Sequence, residues 1–172
     1  MSADPRFGAR FASGAFDPVM NPELFRGVLS CRILAFLIDV IVIALPVVAA
    51  AIVIGLLGIV TFGLGWILFW PLHGFAIVWA ILYYGFTLGG QHSATLGMRA
   101  LGVEMRTWNG EPPTFLLGAI HAVLFWISVS ALTPFILLVG LFNGRRQLLH
   151  DMVLGTMVIN SPPRAARFAR AW

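Results

Sequence analysis

The sequence predicts an all-α polytopic membrane protein, and three observations carry that prediction. The chain is 59% hydrophobic and only 10% charged over 172 residues, where a soluble domain carries about 25% charged residues. No Asp, Glu, Lys or Arg occurs from Val40 to Met98. A third apolar segment, Thr114 to Phe142, is likewise without charge. The length suits one compact domain, read as residues 21–160 between a mobile tail (1–20) and a disordered, Arg-containing terminus (161–172).

All 11 basic residues are Arg. They fall in polar ends and loops, which fits the positive-inside bias and attraction to anionic headgroups. No continuous basic face with interleaved aromatics is present, so nucleic acid is excluded as a partner. The single Cys31 excludes an internal disulfide.

Taken in order, Asn21-Pro22-Glu23 reads as a helix start: a cap residue, Pro at the first helical position and an acid in the first turn. A short interfacial helix then feeds the first span, roughly Arg32 to Ile59, which is long enough to cross with tilt and carries Pro46 inside it. It is too long for a signal-peptide core. Thr61 to Gly65 is the turn. The second span runs roughly from Trp66 to Leu88, with Trp66 and Trp70 at one interface and Trp79, Tyr83 and Tyr84 toward the other. His73 near its start reads first as an interfacial, hydrogen-bonded histidine and second as a proton carrier.

A polar, Gly-rich stretch follows from Gly89 to Gly102. Val103 to Thr107 alternates as a strand does, and Asn109-Gly110 is a hairpin dipeptide before Glu111-Pro112-Pro113. A small cytoplasmic β-hairpin over 102–113 is expected. The third apolar segment contains His121 and Pro134.

Charge within the first span is the feature the rest is organised around. A carboxylate near a membrane helix centre costs roughly 2.5–3.5 kcal/mol on insertion scales, so Asp39 needs a partner or a task. Arg32 lies seven residues earlier, on the same face and about 10 Å along the axis. Candidate donors for Asp39 are Arg99, Arg145 and Arg146, or the hydroxyls of Tyr83, Tyr84, Thr87, Ser93 and Thr95. One reading is a structural clasp between helices; the other is a site for an ion, proton or solute. Arg32, Asp39, Arg99, Arg145, Arg146 and Asp151 are expected to form one polar cluster near the cytoplasmic interface, with Asp39 its deepest member.

Three motifs in order carry a resemblance: Arg32 with Asp39; Gly90-Gln91 followed by Thr95-Leu96-Gly97-Met98-Arg99; and Arg145-Arg146-Gln147 followed by Leu149-His150-Asp151 and Gly155-Thr156. Together they resemble the RDD family of small bacterial membrane proteins over about residues 25–160. The arginine and two aspartates of that name fall on Arg32, Asp39 and Asp151. Met98 departs from the pattern, since many relatives carry a basic residue there, and this thins the basic cluster of the loop. The resemblance implies an inner-membrane protein and a role in transport.

Arg6, Arg10, Arg26 and Arg32 place the N-terminus in the cytoplasm, and Arg99 with Arg106 place the middle loop there too. Three spans would then export the Arg-rich C-terminus. Four would need about 40 residues for two crossings, more than Thr114–Phe142 holds. A bent or re-entrant hairpin turning near Pro134 reconciles both, provided its irregular backbone is buried in protein.

Enzyme chemistry is set aside: no Ser-His-Asp or Cys-His set has its local signature. His150 and Asp151 are adjacent, and helix neighbours do not face each other. No paired-Cys or His-x-x-x-His spacing points to a metal, and no nucleotide loop or other cofactor motif is present. Two functions stay open: a small transporter of an ion or solute, with so few helices expected to enclose a path only as a homo-oligomer, or a non-transporting anchor or assembly partner for other membrane proteins. The lipid bilayer is a partner in both.

Overall fold

The computed structural model describes residues 16–132 and 135–170. The dominant element is α1, Val28–Val60. It is set off from a single 3-10 turn at Pro22–Leu24 by Gly27, which holds φ at 69°, a conformation glycine adopts without strain. The expected interfacial helix is thus only that turn. At 33 residues, α1 is about 50 Å long, more than a hydrocarbon core of roughly 30 Å. It runs unbroken through Pro46.

The reversal at Thr61 is made by close packing. A Cβ on Gly58 would overlap the Trp66 indole at 1.7 Å, and one on Gly65 would lie 2.7 Å from the Gly58 nitrogen. Thr61 Oγ1 donates to the Leu57 carbonyl and accepts from the Gly65 N–H, each at 2.7 Å. A 3-10 turn, Leu64–Leu68, leads into α2, Phe69–Leu88. The two helical stretches Pro22–Val60 and Leu64–Leu88 are long and apolar enough to cross a membrane.

After α2 the chain folds back against the start of α1. Helix α3, Leu96–Ala100, is capped by Thr95, whose Oγ1 accepts from the Met98 N–H. Gly97 lets its backbone touch α1: a Cβ there would be 2.2 Å from the Ala35 carbonyl oxygen. The Gly-rich stretch is therefore packed on α1. Strand β1, Val103–Thr107, follows where alternation placed it, but the expected 102–113 hairpin does not form. Its partner is β2, Thr156–Asn160, antiparallel with Met105 opposite Val158. The residues after Asn109-Gly110 cannot return as a strand because two of them are Pro, which lacks the N–H a ladder needs. The turn instead closes by Gly110 N–H to Thr107 O at 2.9 Å and Thr107 N–H to Glu111 O at 3.0 Å.

Helix α4, Phe115–Leu132, packs on α2 through glycine. The Phe115 ring occupies the space beside Gly85, and Gly118 lies against Leu88 and the Tyr84 carbonyl. At 18 residues, α4 is about 27 Å long, just short of a perpendicular crossing. The expected bend at Pro134 falls on residues outside those described. Helix α5, Phe135–Phe142, ends back at the start of α1, where a Cβ on Gly140 would meet Leu29 at 3.2 Å and Leu148 at 3.0 Å. The third apolar segment thus begins and ends at the same end of the molecule.

The chain closes with α6, Leu149–Leu154, then β2 and α7, Pro162–Ala169. The sequence predicts disorder over residues 161–172; Pro162–Ala169 is instead helical. Pro162 begins the helix, and Phe168 packs beneath the guanidinium groups of Arg26 and Arg164 at 5.3 and 5.5 Å. Asn160 Nδ2 donates to the carbonyls of Glu23 and Arg26 at 2.7 and 3.0 Å, tying β2 to the N-terminal turn. The tail expected over residues 1–20 lies mostly outside the described residues.

Candidate functional site

Two buried carboxylates lie at the packed end, and one of them, Asp39, borders a cavity. Asp39 projects from α1 and is 2% exposed. Its Oδ1 accepts from the Tyr83 hydroxyl at 2.6 Å and the Gly97 N–H at 2.9 Å; its Oδ2 accepts from Thr95 Oγ1 at 2.6 Å. The Tyr83 oxygen in turn accepts from the Leu96 N–H at 3.1 Å. One carboxylate thereby fastens α1, α2 and α3 together. Every donor to it is neutral, and two of them, Tyr83 and Thr95, are hydroxyls from the candidate set. Charge-assisted bonds of this kind are roughly twice as strong as neutral ones.

Asp151, on α6, is completely buried. Its Oδ2 accepts from Arg32 Nη1 at 2.5 Å and from the Leu148 N–H at 2.8 Å. The second bond is a helix cap: the third residue of α6 reaches back to the residue before the helix. Oδ1 lies 3.5 Å from His150 Nε2 and 3.8 Å from His121 Nδ1 and has no hydrogen bond. Burial alone would raise the Asp151 pKa, but the Arg32 charge and its hydrogen bond oppose it, and the carboxyl is held below its usual range. Burial pushes His150 down to about 4 against the pull of Asp151, so its ring is neutral at pH 7.

The neighbours of His150 engage one side of its ring. Ser128 Oγ, on α4, lies 3.0 Å from the Phe125 carbonyl oxygen and 3.2 Å from His150 Nδ1, so its single proton serves one or the other. His150 Nε2 faces Asp151 Oδ1 at 3.5 Å. The rings of His121 and His150 are 4.8 Å apart, edge to face, and Phe125 covers His150 at 5.3 Å.

The cavity holds about 60 Å³ and is bordered by Arg32, Asp39, Tyr84, Thr95, His121 and Phe125. That is room for a few waters or a small ion.

Arg32, Asp39 and Asp151 therefore gather, with Arg32 and Asp39 on the cavity and Asp151 behind Arg32. Arg99, Arg145 and Arg146, expected in the same cluster, do not join it. Arg99 ends α3 on its exposed side. Arg145 is exposed, and Arg146 donates to the Leu141 carbonyl at 2.9 Å, closing α5. Long cationic side chains keep their heads in water when their stems can cover apolar surface, and the hydroxyls already satisfy Asp39. His73, near the start of α2, is exposed and pairs with the Phe69 carbonyl at 2.9 Å.

Sequence reasoning missed the histidines. His150 and Asp151 were set aside as neighbours facing apart, yet the Asp151 carboxyl swings back to cap its own helix and so meets the ring. One signal was available in α4: His121, Phe125 and Ser128 recur at spacings of four and three and share a face.

Searches of curated proteins and of solved structures each found no match. The model of the RDD family matches residues 26–155, from the turn before α1 through the end of α6. That span includes Arg32, Asp39 and Asp151, and the chain belongs to the RDD family.

Proposed function

We propose that this chain is an integral protein of the bacterial inner membrane that transports an ion or small solute, with the cavity beside Asp39 as its binding site. In this reading α1 and α2 cross the bilayer, and α4 with α5 forms a re-entrant hairpin. Both termini are cytoplasmic. Most of the arginines then lie at the cytoplasmic end, where the positive-inside bias favours them.

The observation that carries the transport reading is the cavity itself. It lies among apolar helices, yet Arg32, Asp39 and His121 border it. Ionisable groups at such depth are expensive and commonly mark a pathway. Flux across liposomes containing purified protein, over a panel of cations and small solutes, tests it. Asp39→Asn keeps an acceptor for the Tyr83 hydroxyl and the Gly97 N–H, so the protein should fold while flux falls to background. Asp39→Leu strands three donors, at about 1–3 kcal/mol each, and should lower folded yield. A folded, fully active Asp39→Leu would end the assignment.

A second reading has its own support. From Val40 to Leu57 no residue of α1 is buried, which leaves a long apolar face for a neighbouring helix. On this reading the protein is a non-transporting anchor or assembly partner. Absence of flux together with a stable co-purifying membrane partner would favour it.

A further inference from the structure

We propose that His121, His150 and Asp151 form a binding site for one divalent first-row transition-metal ion, with Zn²⁺ the best fit. The site stands apart from the transport reading, since it can hold an ion whether or not any solute crosses.

Three buried ligand atoms converge without partners. His121 Nδ1, His150 Nε2 and Asp151 Oδ1 are all enclosed and make no hydrogen bond. Ser128 engages His150 through Nδ1, which leaves Nε2 as the ring's metal-binding atom, facing the Asp151 oxygen at 3.5 Å, long for a hydrogen bond. A cation between them would engage both atoms, and so would a water; the experiment below separates the two.

The spacing fits a metal. Zinc holds imidazole nitrogen and carboxylate oxygen at about 2.0–2.1 Å in a tetrahedron, which puts neighbouring ligand atoms roughly 3.4 Å apart. The two edges to Asp151 Oδ1 are 3.5 and 3.8 Å, and one ligand atom from each of the three residues lies within 4.8 Å of the others. Two ligands of one zinc cannot be more than about 4.1 Å apart, so a small rotation of either ring closes the set. Two imidazoles and a carboxylate favour zinc and its neighbours over Mg²⁺ or Ca²⁺.

The surroundings orient the ligands. Ser128 holds the Nδ1 side of His150, and Arg32 with the Leu148 N–H fixes the far oxygen of Asp151. Such outer contacts tune metal affinity by about 10–100-fold. The charge of Arg32 opposes a dication, and Asp39 on the same cavity offsets part of it. His121 also borders the cavity, which gives an ion its entry path and its fourth, open position.

The test uses tag-free full-length protein in detergent, stripped with a chelator and titrated with Co²⁺ and then Zn²⁺. One equivalent of Co²⁺ should produce the visible bands of a four- or five-coordinate site, and Zn²⁺ should abolish them. His121→Ala and His150→Ala should each weaken binding by more than about 100-fold. The His73→Ala/His92→Ala double variant removes the two remaining histidines and should bind as the parent does. In the unmodified protein, Zn²⁺ should also protect His121 and His150 from an imidazole-modifying reagent, a readout that needs no variant to fold. Folded parent protein that takes up no Co²⁺ and shows no protection would overturn the site and leave a bound water as the occupant. Binding lost with His73 and His92 instead would overturn it as well. Neither readout depends on flux, so failure here leaves the transport reading intact, and the reverse holds.

Discussion

The two ends of this molecule are built on opposite plans. At the packed end, α1 buries Val28, Cys31, Ala35 and Asp39 at helical spacing, and α2 buries Tyr83, Tyr84, Gly85 and Leu88. Arg32 and Asp39 there are enclosed and bonded to partners tens of residues away. At the other end, Leu45, Ile52, Val60, Phe62 and Trp70 are exposed; glycines and one Trp hold the turn. Nearly all specificity thus lies in one half of the fold, while the outer half is specified by little more than apolar length. A half that needs only hydrophobicity should tolerate change, and one that depends on matched partners should not.

The sharpest way to break this contrast is to separate Arg32 from Asp151. Arg32→Ala should destabilise the protein by about 3–5 kcal/mol, since it leaves an uncompensated buried charge. The joint replacement Arg32→Met with Asp151→Leu should recover much of that loss. Thermal unfolding in detergent reads both; a near-neutral Arg32→Ala would mean the pair contributes nothing.

Acidification should act on the same end. His150 has a folded pKa of about 4, below its ordinary 6.5, so protonation favours the unfolded chain as pH falls from about 6.5 to 4. Asp151 is shifted down too; its contribution is present above the ordinary carboxylate pKa and is lost as pH falls through its lower folded value. Both effects have one sign, and in metal-stripped protein the His150 part is on the order of 3 kcal/mol. Unfolding temperatures measured across this range should flatten in His150→Gln.

Glycine gives a smaller, paired test. Gly97→Ala drives a methyl into the Ala35 carbonyl and should cost about 1–3 kcal/mol. Gly55→Ala meets nothing within 4 Å and should change unfolding by less than about 0.5 kcal/mol. The smallest effect belongs to Ile52→Ala, also within about 0.5 kcal/mol, because detergent or lipid is as apolar as the side chain it replaces. Equal losses at Gly97 and Gly55 would erase the distinction between the ends.

What could be read in advance follows the same division. The helical hairpin was legible because its signal is local: an unbroken apolar run with a Gly-rich turn. Strand β1 was legible from alternation, but its partner was not, because pairing with Thr156–Asn160 is long-range and the nearby Asn109-Gly110 offered a false local answer. Asp39 announces itself by its cost, and Tyr83 and Thr95 are among its candidate donors; geometry chooses them over Arg99, Arg145 and Arg146. The meeting of His121 with His150 depends on how α4 and α6 pack, which no spacing encodes.

The pairing of β1 with β2 also sets an order of events during synthesis. Val103 meets Asn160, and Arg32 meets a carboxylate 119 residues further on. A chain made from its N-terminus can close the Asp39 clasp as soon as Gly97 has left the ribosome, because every group in it has then been translated. Arg32 and β1 must wait for the last fifth of the chain. Until then the nascent protein holds a helical hairpin whose Arg32 lacks its carboxylate and whose β1 edge is open, and an open edge is a ready template for mispairing. Asp151 and β2 are neighbours in sequence, so one stretch of chain closes both.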